Sequence, residues 1–259
     1  MLEQLRALWE RKDLVWYFVY TDLRIIYKNK VLGFLWTLLD PLMMMLVYTL
    51  VVVFIFKRGG PQFPVLLFSA LLAWRWFTYS LIGSVKSITG KAKLIQSVYF
   101  PKAVLPLSRV LVGLINYLFG LIVLIPLLFL FEAKFTINLL WLPILVGIQF
   151  FFTFGASLLC AAFGVYFRDL ENILQFGLRM WFYLSPALYS VMDRVPSRFR
   201  PIYMLNPFAA LFESYKNILV RGLPPAGIYV LVAAATAMIV LIGGLLLFKA
   251  KEPQFAKDV

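Results

Sequence analysis

The sequence predicts an all-α integral membrane protein with six transmembrane helices, an amphipathic interface helix at the N-terminus, and short re-entrant or interfacial helices on the outer side. Hydrophobic residues make up 63% of the 259 residues, and the mean hydropathy is +0.88. Soluble domains are only roughly 45–50% apolar. The apolar residues form stretches of about twenty, the length that crosses a bilayer as a helix, and short basic loops separate them.

The apolar stretches favour helices over the strands of a barrel. Backbone groups in hydrocarbon must be hydrogen-bonded within the protein, which leaves helices or a closed barrel. A barrel strand alternates apolar and polar residues, whereas Val47–Phe56 and Leu121–Phe131 are almost continuously apolar. The predicted spans are residues 34–56, 65–84, 104–131, 139–163, 170–189 and 227–248.

Residues 1–33 are predicted to form a cytoplasmic amphipathic helix on the membrane surface, ahead of a transmembrane domain of residues 34–259. Leu5 and Trp9 share one face at helical spacing, whereas Arg6 points elsewhere. The segment lacks the apolar core and cleavage site of a secretory signal, so we expect the chain to retain it. Such a helix either only anchors the protein or makes a working contact, and the pattern leaves both open.

Six spans place both termini on the same side of the membrane. With the N-terminus inside, the majority of the 25 Lys and Arg residues fall in cytoplasmic segments, including Lys86, Lys91, Lys93 and Lys102. Cytoplasmic loops carry an excess of Lys and Arg. We therefore predict cytoplasmic termini in an inner-membrane protein, although several outer cations crowd into residues 192–223.

The outer segment of about residues 192–225 is predicted to lie at the interface or to dip into the membrane and return. Asn206-Pro207 is a typical helix start, with an N-cap asparagine and proline at the first helical position. Apolar residues then recur at helical spacing over a length too short to cross. The segment is either an inert cap or a gate over an exit path. The gate candidates are Asn206, Pro207, Phe208, Phe212 and Tyr215.

The residue inventory excludes several classes of function. The chain has no histidine, one cysteine (Cys160), and 12 acids against 25 Lys and Arg. A metal site, a histidine proton relay and an intrachain disulfide are therefore not expected. No acids are paired for general acid–base chemistry, so the chain is not predicted to be an enzyme.

Residues 88–92, ITGKA, superficially match the end of a phosphate-binding loop. That loop has the pattern G-x-x-x-x-G-K-[ST], but Val85 stands where its first glycine belongs and Ala92 replaces the hydroxyl that binds magnesium. We therefore expect no ATP binding through this motif, and nucleotide energy has to come from a partner.

Arg75 and Arg179 lie inside apolar spans among aromatic residues. A charge at the centre of a bilayer costs at least ~2.5–3.5 kcal/mol, so it normally faces protein or water and serves a function. The alternatives are a lipid headgroup contact or a structural ion pair with Asp40 or Glu171. The candidate substrate pathway consists of Trp74, Arg75, Trp76, Tyr79, Arg179, Trp181, Phe182 and Tyr183. Separately, small residues recur at every fourth position of the fourth span, at Ala156, Cys160 and Gly164, which permits close helix contact.

Four segments together resemble the permeases of polysaccharide ABC exporters. They are YKNKVLGFLW (27–36) followed by Asp40-Pro41, FPKAVLPLS (100–108), FRDL (167–170) and LNP (205–207). Each motif is loose by itself, but the four in this order span essentially the whole chain. The resemblance is to the type-2 ABC exporter permeases of O-antigen and wall teichoic acid export, the Wzm and TarG type.

The resemblance implies a pair of identical permeases served by two cytoplasmic ATPase subunits, which would hold the ATP and magnesium. It implies export of a lipid-linked polysaccharide, with spans 1 and 5 lining the pathway, and no nucleic-acid partner. The implied ATPase-coupling residues are Leu5, Trp9, Gly90, Lys91, Ala92, Lys93, Leu94, Ile95, Gln96 and Ser97. The basic residues Arg24, Lys28 and Lys30 suit the pyrophosphate of a lipid carrier or form only a solvated face.

Two other functions remain as alternatives at this point. A type-2 ABC permease for a drug or a lipid would share the fold, and only the motifs above favour polysaccharide. An ion-coupled secondary transporter would carry acids buried in mid-membrane and interrupted, repeated helices, which the sequence does not show.

Overall fold

The computed structural model describes residues 9–28, 33, 35–191 and 195–255, and these residues form helices joined by short irregular segments, with no strand among them. Leu5 and Lys30 lie outside the described residues. The α-helices are α1 (Lys12–Tyr27), α2 (Leu35–Thr49), α3 (Phe63–Val85), α4 (Ala92–Ser97), α5 (Val104–Leu130), α6 (Leu142–Tyr166), α7 (Leu170–Leu184), α8 (Arg200–Tyr203), α9 (Pro207–Lys216) and α10 (Ile228–Lys251). π-Helical turns extend α2 through Leu50–Ile55 and α9 through Asn217–Arg221.

Five helices of the described residues are long and apolar enough to cross a membrane. They are Leu35–Ile55, Phe63–Val85, Val104–Leu130, Ile137–Tyr166 and Ile228–Lys251, which agree with five of the predicted spans. The chain is therefore an all-helical membrane protein, as its hydropathy predicts.

The predicted span over residues 170–189 is a shorter helix than expected. α7 has 15 residues, about 22 Å at 1.5 Å per residue, against a hydrocarbon core of ~30 Å. It ends at Leu184 because Pro186 follows: the residue before a proline is disfavoured in the helical region, and Ser185 is extended, with φ −98° and ψ 148°. A hydropathy window does not register this stop.

α3 is the central helix, and it packs against α2, α5, α6, α7 and α9. α6 and α10 form the most extensive helix pair. Their backbones approach closely at Gly155 and Gly244, where a Cβ on either residue would collide with the backbone of the other helix. Gly164, the last member of the predicted small-residue pattern, packs in the same way against the carbonyl of Val85 in α3. Small residues thus set the helix spacing, as in other membrane bundles.

Gly244→Ala is expected to lower stability, because the added methyl would meet the carbonyl of Gly155 and overpacking costs about 1–3 kcal/mol. Gly243→Ala is the matched control. The space beside Gly243 is open, and alanine is favoured over glycine in a helix by about 1 kcal/mol. Thermal unfolding of the purified variants should give a lower midpoint for Gly244→Ala only. Equal midpoints would contradict the close α6–α10 contact.

We call one end of the bundle the basal end. It consists of α1, residues 86–103 and the C-terminal ends of α6 and α10. Lys102 N donates to Glu252 Oε1 at 2.8 Å, and Tyr166 Oη donates to Gln254 Oε1 at 3.1 Å. α1 lies along the first half of α5, and Tyr27 Oη donates to Asn116 Oδ1, in the middle of α5, at 2.7 Å.

The opposite end, here the distal end, holds residues 56–62, 131–138 and 217–227. Lys134 N donates to the carbonyl of Val220 at 3.0 Å, and Asn138 Nδ2 donates to the carbonyl of Gly222 at 2.9 Å. Gly222 has φ +70°, a conformation that glycine adopts without strain, and it lets the chain turn from α9 toward α10.

α9 runs from the middle of the bundle to the distal end. Its first residues pack against the middle of α3, where the Phe208 ring lies 4.9 Å from Trp74 and 4.6 Å from Phe77. The predicted helix start is confirmed: Asn206 is the N-cap and its side chain accepts a hydrogen bond from Phe208 N at 3.1 Å. Pro207 is the first helical residue.

Candidate functional site: an arginine-lined cavity and the basal end

A cavity of about 700 Å³ lies between α2, α3, α5 and α7. Three arginines line it, Arg75, Arg109 and Arg179, each from a different helix. Tyr48, Tyr79 and Tyr183 add hydroxyl groups to a wall that is otherwise mainly apolar. The cavity therefore combines cations with aromatic faces, a lining that suits a large amphipathic anion.

Arg75 pairs with Asp40 of α2, and both side chains are about half exposed, at 42% and 47%. Asp40 and Glu171 are the two structural partners that the sequence offers. The structure places Asp40 against Arg75, whereas Glu171 pairs with Lys86 at the basal end. Arg75 lines the large cavity as well as a smaller one beside Asp40, so the ion pair and exposure to the cavity occur together.

Arg179 is exposed on α7 and lines the same cavity as Arg75. Arg75 and Arg179 were predicted from the sequence as pathway residues, whereas Arg109 was not. Arg109 lies inside the predicted span 104–131, so a charge within an apolar run was the available signal.

The predicted aromatic residues divide into two groups. Four of them line the cavity: Trp74, Tyr79, Phe182 and Tyr183. Trp76 and Trp181 do not line it. Trp76 Nε1 donates to the carbonyl of Val110 at 3.1 Å, and Trp181 Nε1 donates to Asn206 Oδ1 at 3.1 Å. Both indoles therefore take part in helix packing, and Trp76 also lines the smaller cavity beside Asp40.

The gate candidates on α9 are buried within the bundle. Phe208, Phe212 and Tyr215 are 0% exposed. Tyr215 Oη donates to Gln149 Oε1 at 3.0 Å, and Gln149 Nε2 donates to the carbonyl of Ala73 at 2.8 Å. These two buried hydrogen bonds join α9, α6 and α3. Buried polar groups need such partners because water cannot reach them.

Asn206 ties the start of α9 to the end of α7. Besides capping α9, it accepts from Trp181 Nε1, and its Nδ2 donates to Ser185 Oγ at 3.0 Å. α7, which ends at Leu184, is therefore fixed to α9, which begins at Pro207.

At the basal end, α1 packs on the predicted coupling residues. Phe18 and Ile95 are buried in the same apolar cluster, and the Lys91 ammonium lies 3.8 Å from the centre of the Phe18 ring. Burial lowers the pKa of Lys91, and the nearby Asp22 carboxylate opposes that shift. Of the predicted coupling residues, Gly90, Lys93, Gln96 and Ser97 are exposed at the surface. Trp9, three residues before α1, is 78% exposed. Ala92 and Leu94 are partly buried.

Asp22 is the polar centre of this contact and is only 3% exposed. Ser108 Oγ donates to its Oδ2 at 3.3 Å. Arg109 Nη2 lies 3.5 Å and Lys91 Nζ 3.9 Å from its Oδ1. Asp22 therefore connects α1, the coupling residues and α5, and through Arg109 it reaches the cavity.

Sequence reasoning missed Asp22, although a signal was available. It follows Val15 by seven residues and Phe18 by four, which places a carboxylate on the apolar face of an amphipathic helix. The predicted pyrophosphate residues lie elsewhere: Arg24 and Lys28 are exposed on or next to α1. Among the described residues, no three His, Cys, Asp or Glu side chains form a metal-binding group.

Helices that cross a membrane, an arginine-lined cavity and a buried polar contact at one end define a membrane transport subunit. Residues 13–220 match the family of ABC-2 type transporters, and the chain belongs to that family. It is 31% identical over 260 residues to the O-antigen export system permease protein RfbA of Myxococcus xanthus, with 100% of each chain covered. Two such permeases of Klebsiella pneumoniae are 31% and 30% identical over 237 residues, covering 91% of each chain. The resemblance inferred from the motifs is thereby confirmed.

Proposed function

We propose that this chain is the membrane-spanning permease of an ATP-driven exporter that moves a lipid-linked polysaccharide of the O-antigen type outward across the cytoplasmic membrane. The observation that carries the proposal is similarity along the entire chain to permeases named for O-antigen export. The large cavity supports it, because three arginines suit the phosphate groups of a lipid carrier and tyrosine and tryptophan rings suit sugar faces. The same fold would serve wall teichoic acid, whose backbone is also a phosphate-rich polymer.

The proposed topology has six crossings with both termini in the cytoplasm. α7 begins beside Lys86 at the basal end, where Lys86 pairs with Glu171. Residues 187–189 line a cavity with Arg58 at the distal end. The chain thus passes from one end to the other through α7 and the irregular residues that follow. α8 and α9 then form the proposed re-entrant segment, since α9 starts at mid-bundle and finishes at the distal end.

The proposed source of energy is ATP hydrolysis by a pair of ATPase subunits that dock on the basal end. The docking surface consists of the exposed residues of α4 and of Trp9, which precedes α1. Beside it, the side chain of Tyr99 is 98% exposed and that of Val98 is 53% exposed. Exposed apolar side chains next to Lys93 and Gln96 are typical of a surface that a partner covers. ATP and magnesium would be held by these partners.

The proposed assembly contains two copies of this chain. Only 11% of the apolar window of Leu35–Ile55 is buried within one copy, and the large cavity adjoins this helix. A second copy packed along α2 would close the cavity into a pathway between the two chains.

Cysteine labelling tests the topology, because the natural Cys160 is only 8% exposed and gives little background. Arg58→Cys at the distal end and Lys93→Cys at the basal end are exposed positions. In intact spheroplasts, a membrane-impermeant maleimide should label Arg58→Cys and spare Lys93→Cys until the membrane is opened. Labelling of Lys93→Cys from outside would overturn the proposed orientation.

Deletion of the gene tests the function itself. The proposal predicts that lipid-linked polysaccharide accumulates on the cytoplasmic side and disappears from the surface, and that the wild-type gene restores it. Normal surface polysaccharide in the deletion strain would reject the proposed substrate.

A further inference from the structure

A second cavity, of about 610 Å³, lies at the distal end, away from the arginine-lined cavity. Arg58, Lys216 and Arg221 line it, and none of its described lining residues is an acid. Arg58 comes from the loop after α2, whereas Lys216 and Arg221 come from α9 and its π-helical extension, so three cations from two segments face one space.

Lys216 is a buried cation, only 2% exposed. Its Nζ donates to the carbonyl of Tyr189 at 2.9 Å and also to that of Pro186. Carbonyl oxygens orient the ammonium without neutralising it, and an ammonium has three N–H donors. Buried charges are normally paired with an opposite charge, whereas both of these hydrogen-bond acceptors are neutral carbonyls.

Arg221 has one carboxylate partner. Its Nη1 donates to Glu213 Oε2 and to Asn217 Oδ1, each at 3.0 Å. The other oxygen of Glu213 accepts from Val191 N at 3.0 Å. Glu213 therefore holds Arg221 and the backbone of Val191, and it also acts electrostatically on Lys216. The cations around the cavity still outnumber this carboxylate by three to one.

The facing wall of the cavity is apolar and reaches the outside of the bundle. It consists of Val52, Phe56, Phe63, Leu66 and Leu188, and Phe56 is 61% exposed. A ligand that satisfies both walls needs an anionic head and a hydrocarbon portion next to it. A lipid whose headgroup is a phosphate has that construction, whereas an inorganic phosphate would leave the apolar wall uncovered.

We propose that this cavity is a binding site for the phosphate or pyrophosphate headgroup of an anionic lipid at the distal end of the protein. Arg58 and Arg221 contact the phosphate oxygens, Lys216 supplies charge from below, and Phe56 and Val52 contact the first carbons of the chain. The lipid is either the carrier that has just crossed or an ordinary anionic phospholipid, since both present the same group. Binding at this site needs no ATP and no ATPase, so it can be tested independently of the proposed export function.

Arg58→Gln is the test variant, because Arg58 is exposed in a loop and its replacement should leave the fold intact. Lys57→Gln is the matched control: it removes the same charge from the neighbouring residue, which does not line the cavity. The purified full chain, in nanodiscs of phosphatidylcholine, is titrated with phosphatidic acid and with a polyprenyl pyrophosphate. Loss of one charge-assisted contact should weaken binding about tenfold for Arg58→Gln and less than twofold for Lys57→Gln.

The ligand series separates the sources of the phosphate. Binding of the polyprenyl pyrophosphate about tenfold tighter than phosphatidic acid would identify the carrier, and equal binding would identify a general anionic lipid; both support the site. Equal weakening by the two variants would overturn it. Inorganic pyrophosphate binding as tightly as either lipid would overturn the assignment to a lipid.

Discussion

Asp22→Asn is expected to reduce polysaccharide export at least tenfold while the ATPases remain bound. The substitution removes the carboxylate that Lys91 and Arg109 share and leaves these two cations facing each other. Breaking a buried ion pair costs roughly 3–5 kcal/mol, and the partner side chains are 22% and 26% exposed, which reduces the expected loss to about 2 kcal/mol. α1 and the coupling residues should then move independently of α5.

ATP hydrolysis and export, measured together in vesicles that contain the permease and its ATPases, distinguish uncoupling from misfolding. Asp22→Asn should retain hydrolysis and lose export. Asp13→Asn is the control, because it makes the same change on the same helix at an exposed position, and it should behave as wild type. Wild-type export by Asp22→Asn would rule out a coupling role for the buried contact.

Arg75→Gln is expected to lower export by tenfold or more, whether or not its ion-pair partner is present. Arg75 faces the large cavity and also pairs with Asp40, so a single substitution cannot separate a pathway role from a structural one. If Arg75 only neutralised Asp40, the double variant Arg75→Gln with Asp40→Asn would restore export. A pathway role predicts that the double variant stays impaired.

A double-mutant cycle on the export rate makes this comparison quantitative. Protein level and ATPase binding are measured for the same variants. Arg198→Gln is the control, because Arg198 is an exposed arginine outside the cavity and its loss should leave export unchanged. Recovery of wild-type export by the double variant would assign Arg75 to structure alone. Arg179→Gln, also in the cavity wall, should be impaired like Arg75→Gln.

The membrane-crossing helices were predictable because their cause is local. An apolar run of about twenty residues has one favourable environment, and five predicted spans agree with the observed helices. The span over residues 170–189 was overestimated because hydropathy does not sense the backbone restriction that Pro186 imposes on Ser185. The helix start at Asn206-Pro207 was predictable, since capping depends on adjacent residues only.

The site residues were predictable where a charged residue lies within an apolar stretch of the sequence. Arg75 and Arg179 are charges inside apolar runs, and both line the cavity. Contacts between distant segments were not predictable. Gln149 is a single polar residue whose partners, Ala73 and Tyr215, are far away in the sequence. Trp76 and Trp181 carry the same aromatic signal as Trp74, and only the fold shows that Trp74 alone of the three lines the large cavity.

Transport by purified components tests the central claim most directly, namely that this chain provides the path and separate ATPases provide the energy. Permease alone and permease with its ATPases are reconstituted in inside-out vesicles with a lipid-linked polysaccharide and ATP. The account predicts that the permease alone neither hydrolyses ATP nor moves the polysaccharide, and that the complete complex does both. ATP hydrolysis or transport by the permease alone would contradict it.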